Sequence, residues 1–410
     1  MKITDANPFF SIVLPTRNRP DLISSFIKCT LDQTFQNFEL IICDNSSNEL
    51  TQQAISKFSD DRIVNLRAGD LKMSDNWNYG INAISGQYLM LISDKGLLKQ
   101  GSLEYLFNLI EEEKHDCITW GLDPFVDPDT LIISKPSQQS REVNSNDLIK
   151  IMLGADWEGF DIAPMHCTSC VSAKIVADII GKHKNLSQEL NPDYTMAMQI
   201  LLATPYVYYI NQNLMMLRRP SLLEGYGNGS SFIKKTSQSK AFMAEHANWI
   251  ERTNQYSDIP IQNNHFVLDI MLKDVYKVLI DNKINPNSFL PRRERLIAYY
   301  HFTFLEILWR TRIGVNMSHE YKIWNKSLEQ ENQDIRRHVM KQKKQLRLKS
   351  LQANLIYSIK TNSFTIVLLK AFRAIKYKNI GLKYGSIDDC FRENLIKSYN
   401  DSSNPNELKS

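Results

Sequence analysis

Several features are scarce in this chain of 410 residues, and each absence narrows its class. The 15 Gly and 14 Pro are too few for a collagen-like or low-complexity protein. The six cysteines are scattered and do not have the spacing of a disulfide-rich secreted protein. We therefore expect them to be reduced thiols in a cytosolic protein. No apolar run approaches the roughly 20 residues of a membrane-spanning helix, and residues 1–8 lack the basic and apolar segments of a signal peptide. Hydrophobic residues make up 43% of the chain, which is typical of a globular protein. Together with the length and the points above, the sequence predicts a cytoplasmic protein of two or three domains.

The net charge of +4 conceals an uneven distribution of charge along the chain. Residues 336–387 contain 13 Lys and Arg and no Asp or Glu, so the rest of the chain sums to −9. Such asymmetry is typical of a protein with a polyanionic partner. No aromatic stacking platform accompanies the basic run, so we do not expect nucleic acid to be that partner.

Within the basic run, the segment Phe364–Ile375 has the pattern of an amphipathic helix. Its apolar residues recur at helical spacing, whereas Lys370, Arg373 and Lys376 fall on other faces. This composition is typical of a helix at an anionic membrane surface, here the inner face of the plasma membrane. A helix docked on the body of the protein is the alternative.

The first 120 residues alternate between strand and helix patterns. Five short apolar runs rich in β-forming residues predict strands, and amphipathic runs between them predict helices. Strands that are apolar along their whole length favour a largely parallel sheet covered on both faces. The predicted strands are Phe9–Leu14, Phe38–Cys43, Arg62–Leu66, Tyr88–Ile92 and Cys117–Trp120.

The pattern is mixed as far as about residue 235 and helical beyond it. Tyr206–Leu217 predicts a strand, a turn and a second strand, and Glu224–Ser231 a glycine-rich loop. The helices predicted after this loop are Ala241–Thr253, His265–Lys283, Pro291–Arg312 and Glu320–Leu348. We therefore predict an α/β domain at 1–235, a helical domain at 236–350 and a basic segment at 351–410.

Polar clusters follow three of the predicted strands. Pro15, Thr16 and Arg17 follow the first strand, Asp44 follows the second, and Ser93–Gly96 follows the fourth. Because ligands of such sheets bind outside the carboxyl ends of the strands, the three clusters should contribute to one site. The motifs G-x-G-x-x-G and G-x-x-x-x-G-K-[ST] are absent, so dinucleotide and P-loop sites lose support.

Two blocks of the sequence resemble family 2 glycosyltransferases of the GT-A fold. Phe10–Ser47 is similar to the start of that family, and Met73–Leu103 is similar without a gap to its helix, glycine, strand and acidic-motif segment. A weaker similarity covers Pro192–Tyr194 and Tyr206–Arg219. The resemblance implies an α/β GT-A domain with a Rossmann-like mixed sheet, followed by an all-helical C-terminal extension.

The resemblance implies an inverting transfer of a sugar from a nucleotide-diphosphate donor, with a UDP-sugar favoured. The acceptor would be a hydroxyl of a glycan or a lipid-linked molecule in bacterial capsule, O-antigen or lipopolysaccharide synthesis. The Q-x-x-R-W signature of processive synthases is absent, so we expect one sugar per encounter. The rival hypothesis is a catalytically degenerate GT-A-fold binding or scaffold protein that has lost its metal motif.

The resemblance also implies roles for residues on the donor side. Asp44 would accept hydrogen bonds from the donor's base or ribose, and Asn76 would face the donor. The same nucleobase pocket would be lined by Pro15, Thr16 and Arg17. Arg218 and Arg219 could clamp the diphosphate with bidentate hydrogen bonds. The alternative is that they are surface charges at a strand end.

The acidic motif departs from the family pattern. Family members usually carry two or three aspartates in a D-x-D arrangement that holds Mn²⁺ or Mg²⁺, whereas this chain keeps only Asp94 and has Lys95 beside it. Two interpretations stay open. Either Asp94 coordinates Mn²⁺ or Mg²⁺ together with the diphosphate, or the ammonium of Lys95 replaces the metal and stabilises the departing nucleoside diphosphate.

An inverting transfer needs a general base within hydrogen-bond reach of the acceptor hydroxyl. The family uses an aspartate at a helix start, usually within a Glu-Asp pair, and Asp193 stands at the matching place with Pro192 before it. Glu189 is the nearest alternative base. For Asp193 itself, the structural alternative is a helix N-cap.

The segment His166–Cys170 contains a single C-x-x-C pair preceded by a histidine. A structural zinc site needs four ligands at recognisable spacing, and the chain has no second C-x-x-C pair. We therefore expect Cys167 and Cys170 to be core cysteines, with His166 a candidate to face the acceptor pocket.

Overall fold

The computed structural model describes residues 7–126, 130–131, 139–154, 162–188, 190–219, 244, 248–249, 258–261, 265–346 and 382–383. The predicted loop Glu224–Ser231, the alternative base Glu189 and the predicted helix Phe364–Ile375 lie outside these residues. The chain forms two compact units. The first comprises residues 1–149, 158–221 and 381–410, and the second comprises residues 150–157 and 222–380. The domain boundaries at 235 and 350 stay a prediction.

The first unit is built on an 11-stranded sheet with helices packed against it. Its strands are β1 (Phe10–Thr16), β2 (Phe38–Asp44), β3 (Ile63–Arg67), β4 (Tyr88–Leu91), β5 (Gly96–Leu98), β6 (Cys117–Val126), β7 (Thr130–Leu131), β8 (Arg141–Asn144), β9 (Ser169–Ser172), β10 (Tyr206–Arg219) and β11 (Leu382–Lys383). The helices up to residue 203 are α1 (Pro20–Leu31), α2 (Leu50–Ile55), α3 (Met73–Ile81), α4 (Ser102–Glu113), α5 (Ser145–Gly154), α6 (Ala173–His183) and α7 (Pro192–Ala203).

The sheet combines a parallel half with an antiparallel half. The order β4-β1-β2-β3 is parallel throughout, with Phe10 opposite both Phe38 and Tyr88. Strand β9 lies antiparallel between β4 and β6, and β10 runs parallel to β6 but antiparallel to β5 and β8. The predicted α/β class with a mixed sheet is confirmed. The five predicted strands are all present, each within two residues of its predicted start.

Close packing of α3 on the sheet places one side of the site. Val13 and Cys43 are fully buried on the face of β1 and β2 that α3 covers. A Cβ atom at Gly80 would lie 2.3 Å from Cys43 Sγ and 2.6 Å from Val13 Cγ1, so only glycine allows this approach. One turn earlier on the same helix, Asn76 consequently lies over the end of β2.

Two predicted elements are wrong. Tyr206–Leu217 is not two strands with a turn, because β10 is continuous and absorbs its polar residues as an irregularity at Asn213. The predicted helix Glu320–Leu348 is two helices, which we call α10 (Ser318–Glu329) and α11 (333–346). The break has a local cause, since the side chain of Asn332 accepts a hydrogen bond from Ile335 N and caps the second helix.

The second unit is helical over its described residues. Besides α10 and α11 it contains α8 (Val267–Asp281) and α9 (Arg292–Arg312). Lys343 on α11 is buried, with its ammonium 4.9–5.7 Å from the ring centres of Trp324, Tyr321 and Phe304. Such cation–π contacts hold α11 against α9 and α10. No described helix is both long and apolar enough to span a membrane.

A buried ion pair joins β5 to the middle of β6. Lys99 Nζ lies 2.6 Å from Asp123 Oδ2, and the side chains are 10% and 1% exposed. Asn213 Nδ2, at the irregularity of β10, donates to the other oxygen of Asp123 at 2.7 Å. A charge buried to this extent requires its partner, because water cannot replace the lost interaction.

We predict that Lys99→Met lowers the free energy of unfolding by about 3–5 kcal/mol, because it leaves the Asp123 carboxylate buried without its cation. The measurement is urea denaturation followed by circular dichroism. The matched control is Lys114→Met, whose partner Glu111 is exposed and whose loss should stay below about 1 kcal/mol. Equal losses in the two variants would contradict the role of the buried pair.

Candidate active site

The loops that follow β1 and β2 form one continuous rim. Asn18 N donates to Ser46 Oγ at 2.7 Å, and Asn18 Oδ1 accepts from Ser47 N at 3.0 Å. Asn45 N donates to Thr16 O at 3.1 Å. Asn18 has a φ of 55°, a left-handed conformation that asparagine tolerates better than most residues. The parallel pairing of the two strands therefore brings the first two predicted clusters together.

The third cluster joins the same rim through Asp94. This carboxyl is 3% exposed. Its Oδ2 accepts a hydrogen bond from Thr16 Oγ1 at 2.9 Å, and its Oδ1 lies 2.7 Å from Arg19 Nη1 in an ion pair. Because β1 pairs with β4, residues 75 and 78 positions apart in sequence meet here. Both oxygens of the only carboxylate in the acidic motif are thus engaged within the protein.

The residues around Asp94 do not fit a divalent cation. Family 2 transferases generally use such an ion, and a hard cation requires several oxygen ligands. Here both oxygens of Asp94 have partners, and two cationic side chains, Arg19 and Lys95, flank the position. Over the described ranges, no group of three or more His, Cys, Asp or Glu is arranged to hold a metal.

Lys95 is half-buried at the end of the motif. Burial and the nearby Arg19 guanidinium lower the pKa of Lys95, while Asp94 opposes that shift. The carbonyl of Lys95 accepts a hydrogen bond from Arg218 N at 2.8 Å. Arg218 therefore lies beside the acidic motif, whereas the side chain of Arg219 lies outside the described residues.

Asp44 is fully buried, and both oxygens of its carboxylate accept hydrogen bonds from nearby residues. Its Oδ1 accepts from Ser46 N at 2.8 Å, and its Oδ2 accepts from Gln52 Nε2 at 2.7 Å and Arg67 Nη1 at 2.8 Å. These three bonds use most of the roughly four acceptor sites of a carboxylate, so at most one site is left for a donor base. Asp44 consequently orients Arg67, a residue that the sequence did not indicate.

The remaining donor-side candidates differ in what they face. Arg17 points outward, with a half-exposed side chain paired to Asp70 at 2.8 Å, and Pro15 lies in β1 just before Thr16. Asn76 donates to Cys43 O at 3.0 Å, but its buried Oδ1 accepts no hydrogen bond from any described residue. Asn76 Oδ1 could therefore accept a hydrogen bond from an N–H or hydroxyl group of a ligand at this edge of the sheet.

Asp193 lies in the first turn of α7 and is not its N-cap. The N-cap is Asn191, while Asp193 Oδ1 accepts a hydrogen bond from the adjacent Tyr194 N at 3.1 Å. Burial raises the pKa of Asp193, although His166 and backbone hydrogen bonds oppose the shift. The second oxygen of the carboxylate lies 3.7 Å from His166 Nδ1.

A tight turn connects Asp193 to the acidic motif. Cys167 N donates to Leu91 O at 2.7 Å, and Ser93 N donates to Cys167 Sγ at 3.2 Å. His166, next in the chain, therefore lies between the end of β4 and the start of α7. Cys167 and Cys170 are both buried, as expected of core cysteines.

The structure thus brings Thr16, Asp94, Lys95 and Asp193 to one edge of the sheet. The sequence places Arg19 in the polar cluster after the first strand but indicates no role for it, does not indicate Arg67, and leaves His166 without a specific partner. A basic residue within three positions of a strand end, as at position 19, is the signal that could have indicated the first of these. Arg67 and His166 carry no comparable local signal.

Residues 11–154 match the family model described as glycosyl transferase family 2. Residues 11–154, about a third of the chain, are therefore similar to this glycosyltransferase family, and the mixed α/β sheet described above agrees with that similarity.

The curated relatives are bacterial. Glycosyltransferase GlyG of Streptococcus pneumoniae is 24% identical over 52% of this chain and 71% of its own length. A GalNAc(5)-diNAcBac-PP-undecaprenol beta-1,3-glucosyltransferase of Campylobacter jejuni is 29% identical over 26% of this chain and 35% of its own. The WfaP beta-1,3-glucosyltransferase of Escherichia coli, named for UDP-Glc and a diphosphoundecaprenol acceptor, is 28% identical over 25% of this chain and 42% of its own. The chain thus spans less than half of the latter two.

Among solved structures, residues 1–349 of Staphylococcus aureus TarS in complex with UDP-GlcNAc resemble this chain distantly. The identity is 13% and the TM-score 0.45, over 73% of this chain and 80% of TarS 1–349. At this identity and TM-score, the similarity to TarS adds nothing to the family similarity of residues 11–154.

Proposed function

We propose that this chain is an inverting, non-processive glycosyltransferase that uses a nucleotide-diphosphate sugar, with UDP-sugars favoured as donors. The acceptor is a hydroxyl of a glycan or lipid-linked molecule in bacterial capsule, O-antigen or lipopolysaccharide synthesis. The observation that carries the proposal is the placement of two cations, Arg19 and Lys95, at the same sheet edge as the carboxylate of Asp193. The names of the relatives support the choice of donor and acceptor class.

The reaction needs a base on one side of the anomeric carbon and positive charge on the other. The acceptor oxygen forms a bond to the anomeric carbon as its proton passes to Asp193. The bond between that carbon and the diphosphate oxygen breaks, and the nucleoside diphosphate leaves with its negative charge. Burial of Asp193 favours its protonated form, which makes its carboxylate a stronger base once it is ionised.

The cations of the site would stabilise the leaving group directly. Lys95 and Arg19 flank the motif where the family carries its metal-binding aspartates, and the Asp94 carboxylate holds the guanidinium of Arg19 in place. Fixed cations in a partly desolvated site stabilise developing negative charge more strongly than they would in water. Of the two interpretations of the motif, the geometry therefore supports substitution of the metal by Lys95, with Arg19 beside it.

We predict that donor turnover is unchanged, within twofold, by EDTA. Lys95→Met should lower kcat by about 10²–10³-fold, as expected for the loss of one group that stabilises the leaving charge, and Arg19→Met should also lower it. The measurement is release of the nucleoside diphosphate from the donor, with Lys114→Met as the surface control. Loss of turnover in EDTA with recovery on addition of Mn²⁺ would show instead that Asp94 holds a metal.

We predict that Asp193→Asn keeps donor binding but loses about 10²–10⁴-fold in turnover, because the amide cannot accept the hydroxyl proton. Donor binding is measured as the thermal shift across a panel of UDP-, GDP- and dTDP-sugars. The control is Asp178→Asn, an exposed position on α6. Near-normal turnover in Asp193→Asn would refute the base assignment, and an absence of thermal shift with every donor would favour the scaffold hypothesis.

We also propose that the basic segment contacts an anionic membrane, where a lipid-linked acceptor would be confined. Sequence supports this through the amphipathic pattern of Phe364–Ile375. Lys343 packs inside the second unit and is not available to such a surface, whereas Arg336, Arg337, Lys341 and Lys344 are exposed.

The prediction is that a full-length Lys370→Gln, Arg373→Gln, Lys376→Gln variant binds phosphatidylglycerol vesicles at least tenfold more weakly. Each basic residue near an anionic surface contributes about 1 kcal/mol to binding. The measurement is co-sedimentation with vesicles, and the matched control neutralises Lys57, Lys114 and Lys182. Equal binding by the two triple variants would rule out this surface.

A further inference from the structure

We propose that His166 is the positioning residue of Asp193, an imidazolium that faces the carboxylate, orients it and keeps it ionised for the acceptor hydroxyl. The inference rests on the proposed function in one respect, namely that Asp193 acts as the general base. It assigns a specific partner to His166, for which the sequence indicates only a place facing the acceptor pocket.

The geometry around the imidazole directs it at Asp193. His166 Nδ1 lies 3.7 Å from Asp193 Oδ2. The same nitrogen is buried and has no hydrogen-bond partner among the described residues. The ring of Trp77 on α3 packs against the imidazole at a centre-to-centre distance of 5.1 Å. A buried N–H group with an anion just beyond hydrogen-bond distance needs only a small closing movement to donate to it.

The backbone holds the imidazole in place at some cost. Cys167 has a φ of 69°, a conformation that glycine adopts without strain but that costs other residues about 1 kcal/mol or more. The turn is closed by Thr168 N donating to Met165 O at 3.3 Å. A glycine at 167 would relieve the strain but would lose the sulfur that accepts from Ser93 N. The retained cysteine thus couples the turn of His166 to the acidic motif.

Burial and three neighbouring groups decide the charge of His166. Burial disfavours the imidazolium and Lys95 repels it, but the Cys167 sulfur and the Asp193 carboxylate outweigh them and raise the pKa of His166 to about 9. Trp77, on α3, is neutral. The imidazole is therefore charged at neutral pH, where its charge opposes the effect of burial on Asp193. Removal of that charge raises the pKa of Asp193, so the acidic limb of the rate profile should move to higher pH.

The first test measures the pair without substrate. In a histidine-selective NMR titration of the full chain, which has eight histidines, the resonance that disappears in His166→Asn should titrate near pH 9 in the native protein. In Asp193→Asn that resonance should titrate at a lower pH, because the Asp193 carboxylate is one of the groups that raise the pKa of His166. The same titration midpoint in both proteins would overturn the proposal.

The second test measures the reaction. The acidic limb of donor turnover in His166→Asn should move up by about one pH unit, with the donor KM unchanged within twofold, while His183→Asn at the end of α6 leaves the profile in place. An unshifted limb in His166→Asn overturns the positioning role. If Asp193→Asn stays active, the proposed base is wrong. If Asp193→Asn is inactive and the limb of His166→Asn does not move, only the role of His166 fails.

Discussion

The ion pair between Arg19 and Asp94 is the interaction on which the rest of the site depends. It ties the loop after β1 to the motif after β4, and Thr16 completes the contact from the end of β1 itself. A carboxylate this deeply buried is tolerated only because both of its oxygens have partners. The Arg19 guanidinium and the Lys95 ammonium consequently lie at the same strand end as the Asp94 carboxylate.

The opposite side of the site is organised by a different balance of forces. Asp193 is disfavoured as an anion by burial, and His166 is disfavoured as a cation by the same burial, yet each favours the charged form of the other. The strained turn at Cys167 mechanically links this pair to the acidic motif. Asp193 and the acidic motif are therefore connected through the adjacent residues His166 and Cys167, the first facing Asp193 and the second accepting a hydrogen bond from Ser93 N.

The second unit shows that a basic run is not uniformly a surface feature. Lys343 belongs to the stretch without acidic residues, but its ammonium lies against three aromatic rings and donates to Asn325 Oδ1 at 3.0 Å. Composition alone would assign the charge of Lys343 to a basic tail. In the structure that charge helps to hold α11 against α9 and α10. Charge counted along a sequence thus overestimates the charge available to a partner.

The roles of Asp94, Lys95 and Asp193 stay predictions. Sequence alone determined the strands of the parallel half and the edge at which their polar residues meet. These follow from contiguous patterns, because apolar runs and strand ends are properties of neighbouring residues. Tertiary structure alone decided that Arg19 forms an ion pair with Asp94, that Arg67 forms one with Asp44, and that His166 faces Asp193. Those pairs join residues 23 to 75 positions apart in the chain, and their partners are set by the order of strands in the sheet, which no local pattern encodes.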